Sequence, residues 1–260
     1  MSDPSDWDEL APEYASRSGL MPSERELLDR LGDRVGELDM LDIGIGAGRT
    51  TEHFAPVVRR YVGIDYSPRM VEEARSRLSL PREPTLEVAD ARDLSDWYGS
   101  AFDVVLFSFN GIDAVEAPDR ARIFGEVRRV IADEGVFAFS THSLRTLPLS
   151  VRPRRPSLRA PVRSTLRSLR RAARLAAVNR GLDLEGARRR GWARVRDGAH
   201  DFSLVLTYVD PVYQLRQLDE CGFRVSEVLD GAGRSLDPLD PGSEPHLFYL
   251  CRPHGGSRTP

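Results

Sequence analysis

The chain has 260 residues, 40% of them hydrophobic, enough for one large buried core, and a formal net charge of −3. Its two cysteines, Cys221 and Cys251, exclude a disulfide framework or a cysteine-built zinc site, and no apolar run approaches the roughly 20 residues of a membrane-spanning helix. The acidic start, MSDPSDWDEL, carries no apolar targeting stretch, so the chain is expected to be cytoplasmic.

In chain order, short apolar runs of the kind shown by strands buried on both faces fall at 38–43, 60–64, 85–88, 102–108 and 135–140. Helical patterns lie between them. SPRMVEEARSRL starts with Ser67 as N-cap and Pro68 at the first helical position, and sets Met70, Val71, Ala74 and Leu78 on one face. DRARIFGEVRRVIADEG repeats the pattern through Ile123, Val127, Val130 and Ile131, with Gly135 expected to close it. Strand and helix in alternation imply right-handed crossovers and a doubly wound α/β sheet.

After residue 143 the alternation stops. Pro148, Pro153, Pro156 and Pro161 forbid a regular element, and the next stretch reads as a basic amphipathic helix with Val162, Leu166, Leu169, Ala173 and Ala176 on its apolar stripe. A hairpin is expected around Asp197-Gly198, with Phe202 to Tyr208 as its second arm. Residues 145–196 hold sixteen Arg against Asp183 and Glu185, so a basic insertion sits in an otherwise acidic chain that has no Lys at all. A helix from Asp210 to Cys221, a strand near FRVSEVL and a last strand at 246–251 resume the alternation, and 252–260 is expected to be a disordered tail.

The segment LDIGIGAGRT, at the end of the first strand, bares main-chain N–H groups toward an anionic or polar ligand. Its glycines stand at 44, 46 and 48, and Arg49 occupies the place of the third glycine in the dinucleotide fingerprint, which disfavours an NAD-linked oxidoreductase. With Asp42 ahead of the glycines, Asp65 in GIDYSPRMVEEAR, Asp90 in ADARDL and FDVVLFSFNGID on the fourth strand, the chain resembles the class I S-adenosylmethionine-dependent methyltransferases over 38–140, and loosely over 210–251.

That resemblance implies a seven-stranded Rossmann-like sheet of order 3-2-1-4-5-7-6 with its last strand antiparallel, and S-adenosyl-L-methionine as cofactor. It implies an N-terminal helical segment (1–36) over the cofactor, a core at 37–143 and 210–251, and a cap at 144–209. Gly44, Gly46 and Gly48 would approach the cofactor through their backbone, and Asp42 would serve the loop near the methionine amino group. Asp65 would take the ribose hydroxyls, Tyr66 or Met70 would cover the adenine, Asp90 and the Ala91 backbone would bind its edge, and the Phe107 carbonyl would meet the methionine end. Tyr14 either belongs to a helix folded over the cofactor or packs in the core.

Methyl transfer is an in-line displacement that needs alignment first, and a base only when the acceptor must lose a proton early. His142 is a candidate base or a strand cap; Asn110 orients an acceptor or makes a turn, in company with Asp113; His200 reaches the pocket from the hairpin or faces solvent. FSFN lacks the Asn/Asp-Pro-Pro-aromatic run of the relatives that methylate exocyclic amines, which points to a small-molecule acceptor methylated on oxygen or nitrogen: a sugar, a nucleotide-sugar or another anionic metabolite. The basic insertion is expected to cap the pocket and meet such an anion. Its other readings are a surface for anionic lipid or RNA, with Trp192 alone to stack on a base, and a solvated helix packed on the acidic body. A cofactor-binding protein without turnover is the competing function, as is an RNA methyltransferase.

Overall fold

The computed structural model describes residues 7–99, 101–147, 173–198, 202 and 204–254. Its strands are β1 (Asp39–Ile43), β2 (Arg60–Asp65), β3 (Thr85–Val88), β4 (Phe102–Phe107), β5 (Ile131–Ser143), β6 (Trp192–Arg196), β7 (Val205–Val209), β8 (Phe223–Leu229), β9 (Ser235–Leu236) and β10 (His246–Pro253). The helices are α1 (Ala11–Ala15), α2 (Pro22–Leu31), α3 (Thr51–Phe54), α4 (Pro68–Arg77), α5 (Ala117–Val130), α6 (Leu184–Arg190) and α7 (Pro211–Glu220).

The sheet runs β3-β2-β1-β4-β5-β10-β8-β9, with β1 to β5 parallel and β10 antiparallel to both of its neighbours. The expected doubly wound order is present, β8 and β10 serving as its sixth and seventh strands, and β9 is added at the edge. Alternate residues of each central strand enter opposite cores: Leu41, Ile43, Val105 and Phe107 on one face, Met40, Val104 and Leu106 on the other. Because the five strands are parallel, their carboxyl ends lie along one edge, where the functional loops gather.

Several details differ from the expectation. Helix α5 ends at Val130 and Ile131 is already extended, so Gly135 lies inside β5 at an irregularity where Phe102 pairs Ile131 and Val104 pairs Val136. Strand β5 continues past 140 through Ser143, beyond the point where β4 stops pairing, which leaves backbone groups open on that side. The insertion satisfies them: β7 runs parallel to β5 with His142 opposite Tyr208 and Ser143 opposite Val209, and β6 pairs β7. The hairpin is thus part of the sheet, beyond the end of β4. Arg252 and Pro253, expected in the tail, belong to β10.

Residues 173–178 are helical, but Leu175 is the buried one while Ala173 and Ala176 are exposed, so the apolar stripe is rotated from the expected one; Val162, Leu166 and Leu169 lie outside the described residues. Among the described residues no helix is long and apolar enough to cross a membrane.

Candidate active site

The loop after β1 turns through three left-handed glycines, Gly44 (φ 68°), Gly46 (φ 53°) and Gly48 (φ 84°), a conformation costly for any residue with a Cβ. Each also makes room for a different neighbour. An added Cβ would stand 2.8 Å from the Phe107 ring at Gly44, 3.3 Å from the Tyr14 ring at Gly46, and 3.0 Å and 3.2 Å from Leu78 and Ala74 at Gly48. Gly48 therefore seats the loop on α4, whereas Gly44 and Gly46 wall the crevice.

Three adjoining cavities form that crevice. Asp42 lines one with Gly44, Gly46, Arg49 and Thr50. Asp65, Tyr66, Asp90, Ala91 and Phe107 line the next. Met70, Tyr14 and Trp7 close a third, which shares Gly44, Asp65 and Phe107 with the others. The predicted positions at the ends of β1 to β4 thus share one cleft, although their carboxylates differ in setting. Asp42 accepts from Thr50 Oγ1 (2.6 Å) and the Tyr61 hydroxyl (2.7 Å), which anchors the loop, and burial pushes it up to about 7. Asp65 accepts from the backbone N–H of Gly46 (2.8 Å) and of Ser67 (3.0 Å), and burial raises it to about 6. Asp90 is half-exposed and paired with Arg92, whose guanidinium holds its carboxyl below the usual range against the cost of burial.

The N-terminal segment covers the crevice. Tyr14 on α1 lines three of the cavities, and burial pushes its hydroxyl up to about 12. Arg49 explains what holds the segment down: it donates two 2.6 Å bonds to fully buried Glu24 on α2 and one to the Gly19 carbonyl, and the Ser108 hydroxyl donates to Glu24 from the end of β4. Glu24 is absent from the sequence-derived site because nothing local in SERELL marks its partner.

Past the Tyr14 side of the crevice opens a cavity of about 260 Å³, at the small end of ligand pockets, lined by Asn110, Ser140, His142 and His246 among apolar walls. Here the structure supplies what motifs did not. His142 does not follow β5 but stands within it, pairing across to His246 of β10 and Tyr208 of β7. Its ring is stacked on Tyr208 and meets His246 edge-on, with centroids 4.7 Å apart in both cases. Fully buried Asp113, on the turn after β4, accepts from the His142 backbone N–H and from Nδ1, both at 2.7 Å. The other carboxylate oxygen is met by Arg120 Nη1 (2.7 Å) and the Thr141 hydroxyl. A carboxylate can only accept, so Nδ1 carries a proton, and Nε2 stands 3.7 Å from the Asp197 carboxylate.

Asn110 is left-handed (φ 58°), as is Phe109 before it, and its side chain donates to His246 Nδ1 (3.0 Å). Its amide oxygen is buried without a partner. His200 lies outside the described residues. Among the described residues no group of three or more His, Cys, Asp or Glu is placed to hold a metal ion.

Residues 40–135 match a family described as a methyltransferase domain. The chain is 32% identical over 156 residues to malonyl-[acyl-carrier protein] O-methyltransferase of Geobacter sulfurreducens, a match over 58% of this chain; it spans about half (53%) of that curated relative's length. Its fold is that of an S-adenosylmethionine-dependent methyltransferase from Clostridium acetobutylicum (TM-score 0.61, 15% identity, 90% of this chain and 92% of that one). The CcbJ methyltransferase from Streptomyces caelestis is similar in the same way (TM-score 0.62, 13% identity, 97% and 100%).

Proposed function

We propose that the chain, whose residues 40–135 match a methyltransferase domain and whose fold is that of S-adenosylmethionine-dependent methyltransferases, methylates a hydroxyl oxygen of a small molecule, with His142 as general base. When bound, S-adenosyl-L-methionine supplies an electrophilic methyl on a sulfonium and leaves as S-adenosylhomocysteine. The crevice suits that nucleoside. Asp65 would take the ribose hydroxyls, Asp90 and the Ala91 backbone on the same wall would take the adenine edge, and Tyr66, Met70 and Phe107 would give flat or soft apolar cover. Gly44 and Gly46 let the backbone approach. Arg17, beside Asp42 and the loop, places a cation near an amino-acid carboxylate.

The observation that carries the reading is the His142–Asp113 pair, at 2.7 Å, in a cavity that adjoins this crevice through Tyr14, Ser108 and Phe109. As the acceptor oxygen takes the methyl, its proton passes to His142 Nε2, and the electrons of the broken carbon–sulfur bond stay on sulfur. Asp113 fixes the tautomer and stabilises the imidazolium that forms, while Arg120 and Thr141 fix Asp113. A base beside an acceptor-sized cavity favours turnover over binding alone, and no described aromatic cluster on the insertion favours RNA.

A sugar or nucleotide-sugar with a free hydroxyl fits this chemistry. A carboxylate acceptor, by analogy with the relative's malonyl group, would need no base, and the test separates the two. S-adenosylhomocysteine release is measured for wild type and His142→Ala over a panel of hydroxylated and carboxylated acceptors. The variant should lose at least about 100-fold in kcat with a hydroxyl acceptor while its cofactor affinity stays constant. An equally active variant would remove His142 as base.

A further inference from the structure

We propose that Arg120 is a positioning residue that sets the charge of the His142 ring: its guanidinium neutralises Asp113, so His142 meets a balanced ion pair in place of a bare carboxylate and keeps the neutral form that can take a proton. This rests on the reading of His142 as general base. Arg120 stands near the start of α5 and Gln214 near the start of α7, two helices that pack together, and neither side chain has any exposed surface.

Arg120 Nη1 donates to Asp113 Oδ1 (2.7 Å) and to the Ile112 carbonyl (3.2 Å), while Nη2 donates to the Thr141 hydroxyl (3.2 Å) and to Gln214 Oε1 (2.6 Å). Asp113 is the anion among these acceptors. The Gln214 amide is oriented by Gln217, whose Oε1 accepts from Gln214 Nε2 (3.4 Å) and whose own Nε2 donates to the Ala117 carbonyl (3.4 Å). A glutamate at 214 would fill the same space and bind a buried arginine more strongly. The neutral amide instead leaves the whole positive charge to Asp113. Burial pulls Arg120 down from its ordinary range, but a guanidinium does not give up its proton in a protein.

The other groups facing the ring show why that balance matters. Asp197, on the turn after β6, stands 3.7 Å from Nε2 and favours a cation there. Tyr208 on β7 is stacked on the ring and His246 on β10 meets it edge-on; His246 is pushed down to about 4 by burial and then by its neighbour, so it is uncharged at neutral pH. Arg194 on β6 feels the Asp113 charge, but it donates to the Val115 carbonyl and the Thr207 hydroxyl. Among the described residues Arg120 is thus the one cation bonded to Asp113. Without it the ring would lie between two uncompensated carboxylates, and an opposite charge in contact favours the charged form by about 1–3 pH units. A ring held as imidazolium has no lone pair left to act as a base.

The ring is followed by its ¹⁵N and ¹³C shifts through a pH titration of the full chain labelled on its five histidines, with His142 assigned by its loss in His142→Ala. In Arg120→Met the midpoint should move at least about one pH unit to the alkaline side of wild type, and the acid limb of kcat/KM should move with it. Arg120→Lys keeps the charge and loses the fork, so it should titrate with the wild type; a residue that only packs would move neither midpoint or both. Should Arg120→Met fail to fold, Gln214→Glu sets a second carboxylate on Nη2, draws the guanidinium away from Asp113 and moves the midpoint the same way. An unmoved midpoint in either variant, or an Arg120→Lys that moves as far as Arg120→Met, would overturn the proposal. A midpoint that moves as expected while His142→Ala keeps its full kcat leaves the charge balance standing and removes His142 as base, so the two failures are told apart.

Discussion

Replacing Asp113 with Asn tests whether the His142 imidazole is held as a base. Asp113 is fully buried and its carboxylate accepts on both oxygens: from Arg120 Nη1 (2.7 Å) and the Thr141 hydroxyl on one, and from the His142 backbone N–H and Nδ1 (2.7 Å each) on the other. An amide offers one oxygen and one NH2. Turned toward Arg120, the NH2 would set donor against a charged donor, so the oxygen stays there and the NH2 faces His142, where the bond from the backbone N–H, itself a donor, is lost. Nδ1 must then accept, and the ring proton moves to Nε2, the nitrogen the reaction needs bare. General-base catalysis contributes about 10²–10⁴-fold, so kcat with a hydroxyl acceptor should fall at least about 100-fold. Arg120, with no exposed surface, also loses its counter-charge, and breaking a buried pair costs about 3–5 kcal/mol, so Tm should fall as well. Kinetics measured well below the lowered Tm separate the two effects, and ¹⁵N shifts of the imidazole report the tautomer without any turnover. The reasoning fails if the wild-type ring already carries its proton on Nε2, or if the variant makes that switch and keeps its kcat.

Cofactor affinity should depend on pH through Asp65. Its carboxylate is the form that accepts from ribose hydroxyls and burial raises it to about 6, so the competent fraction falls as pH drops through that value. At pH 5 about one-tenth remains, and S-adenosylhomocysteine should bind about tenfold more weakly than at pH 8 by calorimetry. Asp65→Asn should bind it about 1–3 kcal/mol more weakly at pH 8 and lose most of the slope, while a flat wild-type profile would remove Asp65 from the nucleoside. Arg49→Leu strands fully buried Glu24 without its two 2.6 Å bonds, so about 3–5 kcal/mol of stability should be lost and residues 7–31 should become the first site of proteolysis. An unchanged Tm would show that Glu24 does not need the arginine.

The sheet was readable because strands buried on both faces have no polar side to interrupt them: MLDI, YVGI and FDVVLF are nearly continuous apolar runs. The glycine loop was readable for a related reason, since a left-handed backbone at 44, 46 and 48 admits little else. Where the fold departed from expectation, the departure was made by backbone pairing that side chains do not advertise. The strand is expected to end at Ser140, yet it runs on through Thr141, His142 and Ser143, because β10 on one side and β7 on the other supply hydrogen bonds there. The β7 partner comes from more than sixty residues further along the chain, out of reach of any local pattern.

The same distinction separates the two halves of the site. A nucleoside crevice makes demands on the backbone near each strand end, and such demands leave local marks. A base makes its demand on a partner, and Asp113 looks like any turn acid in NGID until the fold carries it to His142. Composition is a coarser guide than contact, and the described part of the insertion shows why. Its sixteen arginines predict a field that attracts anions, but a pocket responds only to charge that is aimed into it and not already spent on an aromatic face, a carbonyl or a carboxylate. Arg190, Arg194 and Arg196 are engaged in those ways. Net charge therefore says how much charge a segment carries and not where it is spent.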